Sequence, residues 1–495
     1  MRCFVKYSDY IKKFIENDEE NVIQHIPNAE AEEFLLENAP RLYCPDPVIE
    51  ETFAFRTFTM RKHIKKTEDG FVLTEFLVNE QLPWAGKHNT INAPLTHHLN
   101  EFRWLKNADD LLDYIDFFLS GKGEAFAYHA PALAAMVDFC RVTANEDFLI
   151  ARADALEAYY KHWEQTHKTE NGLFFSNDDR EGTEFSISGT TADMQRLYGL
   201  RPLMNACMFA DAKALSSVFS LSGDSEKSRL YADKAAAIKK NMDEKMWDGE
   251  TYKAISPLDG NLDRPLCVRD IPEECNAREL VGLIPWAFSM PDAGKEGVFR
   301  LLLDPRVFAA KTGLATADIS HPRFGFYSEH PCTWSGNVWP YATSYAVNAV
   351  IALLSDYEQS VLDERDLYSL IRTYADMHYS VENGKRINFI DEVMLPFEPI
   401  WYVRMLAHQE GREISGGKNR GKDYNHSTFI DLVLRGLLGV DTKGNALRIE
   451  PRVRGIWKYF KLENLTYRKK FYTVYYDEDG SVFKKGKGVI IEESK

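Results

Sequence analysis

The sequence predicts a mainly α-helical protein in which pairs of helices close into an (α/α) barrel, with an irregular mixed N-terminal part and a small β element at the C-terminus. Between about residues 100 and 439, apolar residues recur at helical spacing, and loops containing Gly and Asn separate the helices. Several helices, such as "SYAVNAVIALL", are apolar nearly all round, which indicates an inner layer. No fixed-period repeat is present, which disfavours an open solenoid.

Composition limits the possible partners. The 495 residues are 44% hydrophobic and 27% charged, enough for a large core and unlike a disordered chain. A formal net charge of -15 argues against nucleic acid or an anionic membrane as partner. The sequence contains no run of about 18 apolar residues, so no membrane span is predicted. Seven cysteines without a CxxC pair and a start without a signal-like apolar region favour a reducing, cytoplasmic location.

The pattern of apolar and polar residues divides the chain into three parts. Residues 1–95 are mixed, and "FAFRTFTM" and "FVLTEFLV" read as strands. Residues 96–439 form the helical barrel. Residues 440–495 alternate at period two in "ALRIEP", "FYTVYYDEDGSVF" and "GVIIEE", with a D-G turn among them, and are predicted to form the small β element.

Start and stop signals delimit the helices of the barrel. Asn145 is a predicted cap for a helix continuing through "ALEAYYKHWEQTH", and Gly223 and Asp224 end one helix and begin the next. Further helices are predicted over residues 108–120, 129–143, 192–222, 277–288, 294–303, 340–355, 362–379 and 426–438. The loops between them are the expected positions of functional side chains, since loops on a rigid scaffold carry most such residues.

The first distinctive loop is acidic. In "GLFFSNDDREGTEFSISG", four carboxylates, Asp178, Asp179, Glu181 and Glu184, lie beside two phenylalanines. Any one of them could belong to a solvated surface loop.

A second loop, "FYSEHPCTWSGNVWPYATSY", carries Glu329, His330, Trp334 and Trp339. Two tryptophans five residues apart are either ordinary packing or flat faces suited to stacking on a sugar ring.

A third loop, "RINFIDEVMLPFEPIW", sets Asp391, Glu392 and Glu398 among apolar residues. A carboxylate in such surroundings is harder to ionise, so it is either paired or functional. Two acidic loops far apart in sequence, with an aromatic loop between them, fit cleavage of a glycosidic bond. That reaction needs one carboxylic acid and one carboxylate.

Other chemistries lack their residues. His97 and His98 are adjacent, but no HExxH or Cys/His set with metal spacing follows, so we expect no metal site. No phosphate-binding, dinucleotide-binding or GxSxG motif occurs, and we expect no organic cofactor. "GGKNRGKDYNH" reads as a turn that presents Asp423, Asn425 and His426.

These segments resemble the six-hairpin glycosidases, especially glycoside hydrolase family 63 and its mannosylglycerate-hydrolase-like relatives, and more distantly the trehalases. Gly182-Thr-Glu184-Phe-Ser186 is similar to the family's Gly-x-Asp-x-Ser segment, with Glu184 one methylene longer than the acid. Trp334-Ser-Gly-Asn-Val-Trp339 is similar to Trp-x-Gly-Pro-x-Trp, with Asn337 in place of proline. The likeness covers about residues 80–490, and the last barrel helix and β tail resemble a bacterial subgroup.

The resemblance implies a six-hairpin toroid and an inverting hydrolase that acts on an α-linked sugar. Glu184 would then be the general acid, with Asp178 or Asp179 as alternatives, and Glu392 the general base. The substrate would be an oligosaccharide or small glycoside. Its contacts would come from Arg103, Trp104, Tyr128, His129, Arg201, Glu329, Trp334, Trp339, Asp423 and His426. The sequence does not indicate the oligomeric state.

Two alternatives remain. A sugar epimerase on a similar barrel would use histidine bases, and His129, His330 and His426 would have to converge. A non-catalytic glycan-binding protein would not need Glu184 and Glu392 to face a common cavity.

Overall fold

The structure is a computed structural model and describes residues 7–255, 272–325, 330–382 and 384–494. The α-helices of the described residues are α1 (Tyr7–Glu16), α2 (Ala31–Asn38), α3 (Pro47–Met60), α4 (Leu95–Phe102), α5 (Leu112–Leu119), α6 (Ala132–Thr143), α7 (Glu146–Ile150), α8 (Ala153–His167), α9 (Pro202–Leu221), α10 (Ser225–Lys245), α11 (Ile284–Ala287), α12 (Pro340–Asp356), α13 (Glu364–Met377), α14 (Tyr402–Ala407) and α15 (Phe429–Leu432). The strands are β1 (Arg41–Tyr43), β2 (Ile64–Thr67), β3 (Gly70–Leu73), β4 (Phe175–Asn177), β5 (Tyr198–Leu200), β6 (Tyr379–Glu382), β7 (Lys385–Asn388), β8 (Tyr459–Tyr467), β9 (Lys470–Asp477) and β10 (Gly488–Ser494).

Six helices contact one another in a closed series. Helix α4 packs on α6, α6 on α9, α9 on α11, α11 on α12 and α12 on α15, and α15 returns to α4. Further helices cover this series from outside, with α8 and α10 on α9 and α13 on α12. Burial follows the same division, because 15 of the 20 residues of α9 are buried, against 4 of the 21 in α10. The inner helices are therefore apolar nearly all round, while the outer ones bury a single face.

Most of the predicted helices exist, with shifted boundaries. The stretch 192–222 is a helix only from Pro202, since β5 precedes it and proline favours the first helical turn. Residues 294–303 form 3-10 turns rather than an α-helix. The helix predicted after Asn145 breaks into α7 and α8, and the Asn145 side chain does not cap it. Asp224 does cap α10, accepting a hydrogen bond from the Lys227 N–H at 2.9 Å.

The strand predicted over "FAFRTFTM" is wrong, because these residues belong to α3. Asp46 caps this helix, accepting bonds from the N–H groups of Val48 and Ile49, and Pro47 occupies its first turn. The helix packs against α13 and α15, so its aromatic and threonine side chains are buried on all sides. Because every face of the helix is buried, its apolar residues show no helical period, and its aromatic and threonine content is typical of a strand.

Both ends of the described chain meet in one antiparallel sheet of order β1-β8-β9-β10. Strand β1 pairs with β8 through the register Arg41↔Glu463, so residues from the predicted N-terminal and C-terminal parts share a sheet. The predicted D-G turn, Asp479-Gly480, lies in the connection from β9 to β10, whereas "ALRIEP" supplies a single bridge, Val440↔Ile449. None of the described helices is long and apolar enough to cross a membrane.

Candidate active site

A cavity of about 380 Å³ lies where the segments that precede the inner helices meet. Ala93 comes just before α4, Trp339 directly before α12 and His426 shortly before α15. The described lining includes five carboxyl groups, several aromatic rings, two arginines, two histidines and a cysteine. These are Glu75, Phe76, Trp84, Tyr128, Asp179, Glu184, His330, Cys332, Trp334, Trp339, Glu392, Arg412, Glu413, Arg420, Tyr424 and His426.

Glu181, in the acidic loop, holds the loop in place. The Arg201 guanidinium donates to Glu181 Oε2 at 2.7 Å, and the Met204 N–H donates to Glu181 Oε1 at 3.0 Å. Arg201 also donates to the hydroxyls of Ser186 and Ser188. Because Arg201 is buried in these contacts and is outside the described lining of the cavity, the prediction that it binds substrate is not supported. It fastens the loop to the start of α9.

The two aspartates of this loop differ in surroundings. Asp178 is fully buried and accepts a bond from the Thr190 hydroxyl at 2.8 Å, so it shapes the loop from behind. Asp179 lines the cavity, but its side chain is half exposed and forms an ion pair with Arg196 at 2.9 Å. Of the two alternatives to Glu184, only Asp179 reaches the cavity.

Glu184 is the second carboxyl of this loop that lines the cavity. Phe185, directly after it, has a φ of 57°, the left-handed region that non-glycine residues rarely adopt. The Glu184 carbonyl accepts a bond from the Trp334 N–H at 3.0 Å, which ties the acidic loop to the tryptophan loop. Burial, with the nearby charges of Asp179, Asp178 and Glu392, raises the pKa of Glu184 to about 8. At neutral pH this carboxyl therefore carries a proton.

Glu392 lies on the same cavity in a different environment. Arg420 donates to Glu392 Oε2 at 2.8 Å, and the Cys332 thiol donates to Oε1 at 3.1 Å. The Glu392 N–H donates to the buried Asp391 side chain at 2.7 Å, and burial raises the pKa of Asp391 to about 7. The Arg420 guanidinium thus compensates the negative charge of Glu392.

A third buried carboxyl, Glu75, was missed in the sequence. It follows β3 in "FVLTEFLV", and His426 Nε2 lies 3.3 Å from its Oε1. Burial, and then the charge of Glu392, raise the pKa of Glu75 well above its ordinary value. Tyr424 hydrogen-bonds His426 Nδ1 on the other side. A lone carboxylate in an otherwise apolar stretch was the available clue.

The two predicted tryptophans line the cavity side by side. The rings of Trp334 and Trp339 stack with centroids 4.7 Å apart and an interplanar angle of 20°. The Trp339 indole N–H donates to the Thr333 carbonyl at 3.0 Å. Both side chains are nearly fully buried, so each ring offers the cavity only a small apolar area.

Arg103 and Trp104, which were predicted to contact the substrate, are not in the described lining of the cavity. Both are buried and donate to Asp431 Oδ1, from the Arg103 guanidinium and, at 3.0 Å, from the Trp104 indole N–H. This cluster links α4 to α15 within the core.

Two further residues predicted to contact the substrate, Asp423 and His129, are also held in contacts away from the cavity. Asp423 forms an ion pair with Lys62 and accepts a bond from His63 at its carbonyl, and its side chain is buried. His129 is buried with its ring 4.3 Å from that of Trp163. Both are outside the described lining. Glu329 lies outside the described residues.

Tyr128 and His426 do line the cavity, as predicted. Arg420 was missed, although it lies in "GGKNRGKDYNH", because the identity of its partner Glu392 cannot be read from spacing.

The cavity favours carboxyl chemistry over histidine chemistry. Of the three histidines an epimerase would need, His330 and His426 line the cavity and His129 does not. Burial lowers the pKa of His426 well below its ordinary value. Among the described residues, the one cluster spaced to hold a metal ion is Glu68, Asp69 and His88, which is absent from the cavity lining.

Comparisons with known proteins agree with this geometry. The family model described as a mannosylglycerate hydrolase MGH1-like glycoside hydrolase domain matches residues 87–427, in agreement with the predicted resemblance. No curated protein sequence matches the chain.

Among solved structures, one named "Sialidase" is similar at 30% identity with a TM-score of 0.87, over 99% of this chain and 43% of that one. The chain thus spans less than half of that protein, and the name assigns no activity to the matched part. The GH78 rhamnosidase of Bacillus sp. GL1 is similar at 12% identity with a TM-score of 0.53, over 89% of this chain and 40% of that one. The GH63 mannosylglycerate hydrolase of Thermus thermophilus with glucose is similar at 11% identity with a TM-score of 0.50, over 77% of this chain and 99% of that one. The last two likenesses concern the fold alone.

Proposed function

Because the chain belongs to the mannosylglycerate-hydrolase-like glycoside hydrolases, we propose that it hydrolyses an α-linked glycoside with inversion, using Glu184 as general acid and Glu392 as general base. The observation that most supports this pair is the difference between the environments of the two carboxyl groups, which line the same cavity. One carboxyl is protonated at neutral pH through burial, and the other is paired with Arg420. Two carboxyl groups of one site that have such different surroundings are typical of the general acid and the general base of these enzymes.

We propose that the closed series of inner helices with its outer cover is an (α/α) barrel of six hairpins. The barrel would occupy residues 96–439, with residues 1–95 packed on it and residues 440–495 as an added β element. The cavity would then lie at the barrel mouth. Helices α4, α12 and α15 begin beside it, so their N-terminal ends lie near the reacting groups.

In the proposed reaction, Glu184 donates its proton to the glycosidic oxygen while the bond from that oxygen to the anomeric carbon breaks. Glu392 accepts a proton from water as the water oxygen bonds to the anomeric carbon from the opposite face. After this step Glu184 is ionised and Glu392 is protonated, and proton exchange with solvent restores the starting state of each. Inversion requires room for this water, with the carboxyl groups about 6.5–9.5 Å apart.

The enclosed shape favours a short substrate. A cavity of about 380 Å³ is near the lower end of ordinary ligand sites. The stacked pair of Trp334 and Trp339 would offer the sugar an apolar contact, and His426 and Glu75 would offer polar contacts. We therefore propose exo action on a terminal sugar or cleavage of a small glycoside.

The test is hydrolysis of a panel of p-nitrophenyl α-glycosides, α-linked disaccharides, mannosylglycerate, a rhamnoside and a sialoside. Wild type is compared with Glu184→Gln, Glu392→Gln and Asp179→Asn, and with Glu170→Gln as a control at an exposed position. We expect losses of about 10²–10⁴-fold in the first two variants only. NMR of the first-formed anomer then reports inversion. Unchanged hydrolysis by Glu184→Gln together with loss in Asp179→Asn would reassign the acid to Asp179.

A further inference from the structure

Both oxygens of the Glu392 carboxylate are held by separate donors. Arg420 Nη2 donates to Oε2 at 2.8 Å and Cys332 Sγ to Oε1 at 3.1 Å. The backbone N–H of Glu392 is bound in turn by Asp391 at 2.7 Å. These three contacts fix the rotation of the carboxylate as well as its position.

Arg420 is itself immobilised. Its guanidinium lies over the rings of Phe76 and Trp84, 5.5 and 5.3 Å from their centroids. The backbone of Gly421 approaches the Asp391 side chain so closely that an added Cβ would meet Oδ1 at 1.8 Å. The loop that carries Arg420 is therefore packed against the segment that carries Glu392, with no space between them.

Cys332 links the two catalytic loops. It lies two residues before Trp334, whose N–H donates to the Glu184 carbonyl, while its own thiol reaches Glu392. Burial, and then the charge of Glu392, raise the pKa of the Cys332 thiol well above its ordinary value. The thiol thus keeps its proton at neutral pH and remains a donor.

We propose that Cys332 and Arg420 are positioning residues for Glu392, fixing its two oxygens so that the carboxylate presents a free lone pair to the attacking water. This rests on the proposed function, in which Glu392 is the general base. Neither residue needs to touch the substrate for this role. Their loss should therefore lower kcat and leave KM nearly unchanged.

The kinetic test compares Cys332→Ala, Cys332→Ser and Arg420→Lys on the substrate found by the panel. A hydrogen bond to a charged group corresponds to about 10–100-fold, which is the loss of kcat expected for Cys332→Ala. Cys332→Ser, which keeps a donor, should recover most of this loss. Cys140→Ala is the matched control, since Cys140 is equally a free thiol but is buried in α6 away from the cavity.

A second measurement needs no activity. The rate of Cys332 alkylation by iodoacetamide is followed between pH 7 and 10 in wild type and in Glu392→Gln, with peptide mass spectrometry separating Cys332 from the other six cysteines. Removing the Glu392 charge should lower the thiol pKa and speed alkylation, by about tenfold for each pKa unit.

The outcomes separate the two proposals. Loss of hydrolysis in Glu392→Gln with wild-type kcat in Cys332→Ala would overturn the positioning role alone, as would equal losses in the Ala and Ser variants. Unchanged alkylation in Glu392→Gln would also overturn it. Retained hydrolysis in Glu392→Gln would overturn the proposed function, and the positioning role with it.

Discussion

Replacing Glu184 with glutamine should stabilise the protein at neutral pH while lowering its activity about 10²–10⁴-fold. A carboxyl whose pKa is raised in the folded state binds its proton more tightly there than in the unfolded chain. Its effect on stability is therefore absent below the ordinary pKa of 4.5 and grows as pH rises toward 8. At about 1.4 kcal/mol per pH unit, the burial of Glu184 lowers the free energy of unfolding by about 3 kcal/mol at pH 7. This is an upper limit, because water entering the cavity solvates the carboxylate.

Glutamine has nearly the same shape and no charge, so Glu184→Gln should recover this free energy. We expect the urea midpoint of unfolding of the variant to exceed that of wild type only slightly at pH 5, and by clearly more at pH 7 and 8.5. Glu170→Gln, at an exposed position, should change the midpoint at none of these pH values. A stability difference that is the same at pH 5 and pH 8.5 would refute the assignment of a raised pKa to Glu184.

The pH dependence of kcat/KM provides an independent check of the same group. Wild type should lose activity on the alkaline side with an apparent pKa near 8, where Glu184 gives up its proton. This limb should vanish from the residual activity of Glu184→Gln. Its persistence would show that another group titrates there.

Three further changes test other parts of the structure. Arg201→Met leaves the buried Glu181 carboxylate without its charged partner, so chemical denaturation should show a loss of about 3–5 kcal/mol, and a loss below 1 kcal/mol would contradict the role of this pair. Asp224→Ala removes the cap of α10 and should lower the free energy of unfolding by about 1 kcal/mol with unchanged kcat/KM. Trp339→Phe should raise KM about 3–10-fold with little effect on kcat, whereas an equal fall in kcat would point to displaced catalytic groups.

The sequence was most informative where residue type alone carries chemistry. Glu184, Glu392, the two tryptophans and His426 could be selected as polar or aromatic residues in loops between helices, and all line the same cavity. In the sequence, Arg103 and Arg201 look as suitable for a site as the residues that line the cavity. Only their contacts with buried carboxylates in the structure show that they lie elsewhere. Arg103 meets Asp431, 328 residues away, and no local pattern encodes such a contact.

The helices were predictable where one face is buried and difficult where every face is. Helix α10 shows its period because four apolar positions are buried and most of the others are polar. Helix α3 has no such contrast, and its true marker was the Asp46-Pro47 pair at its start. Glu75 was missed for a related reason, since a strand end supplies this carboxyl, whereas the predicted acid and base both lie in loops between helices.

The sheet that joins β1 to β8 has a consequence for how the protein is made. Arg41 of β1 can pair with Glu463 of β8 only after 422 further residues have been synthesised. At translation rates of about 5–20 residues per second, this delay is on the order of 20–80 s. Strand β1 has three residues, too few to offer a long unpaired edge to a neighbouring chain during that time. The pairing of β1 with β8 therefore forms late in synthesis, and it fastens the early part of the chain to the late part.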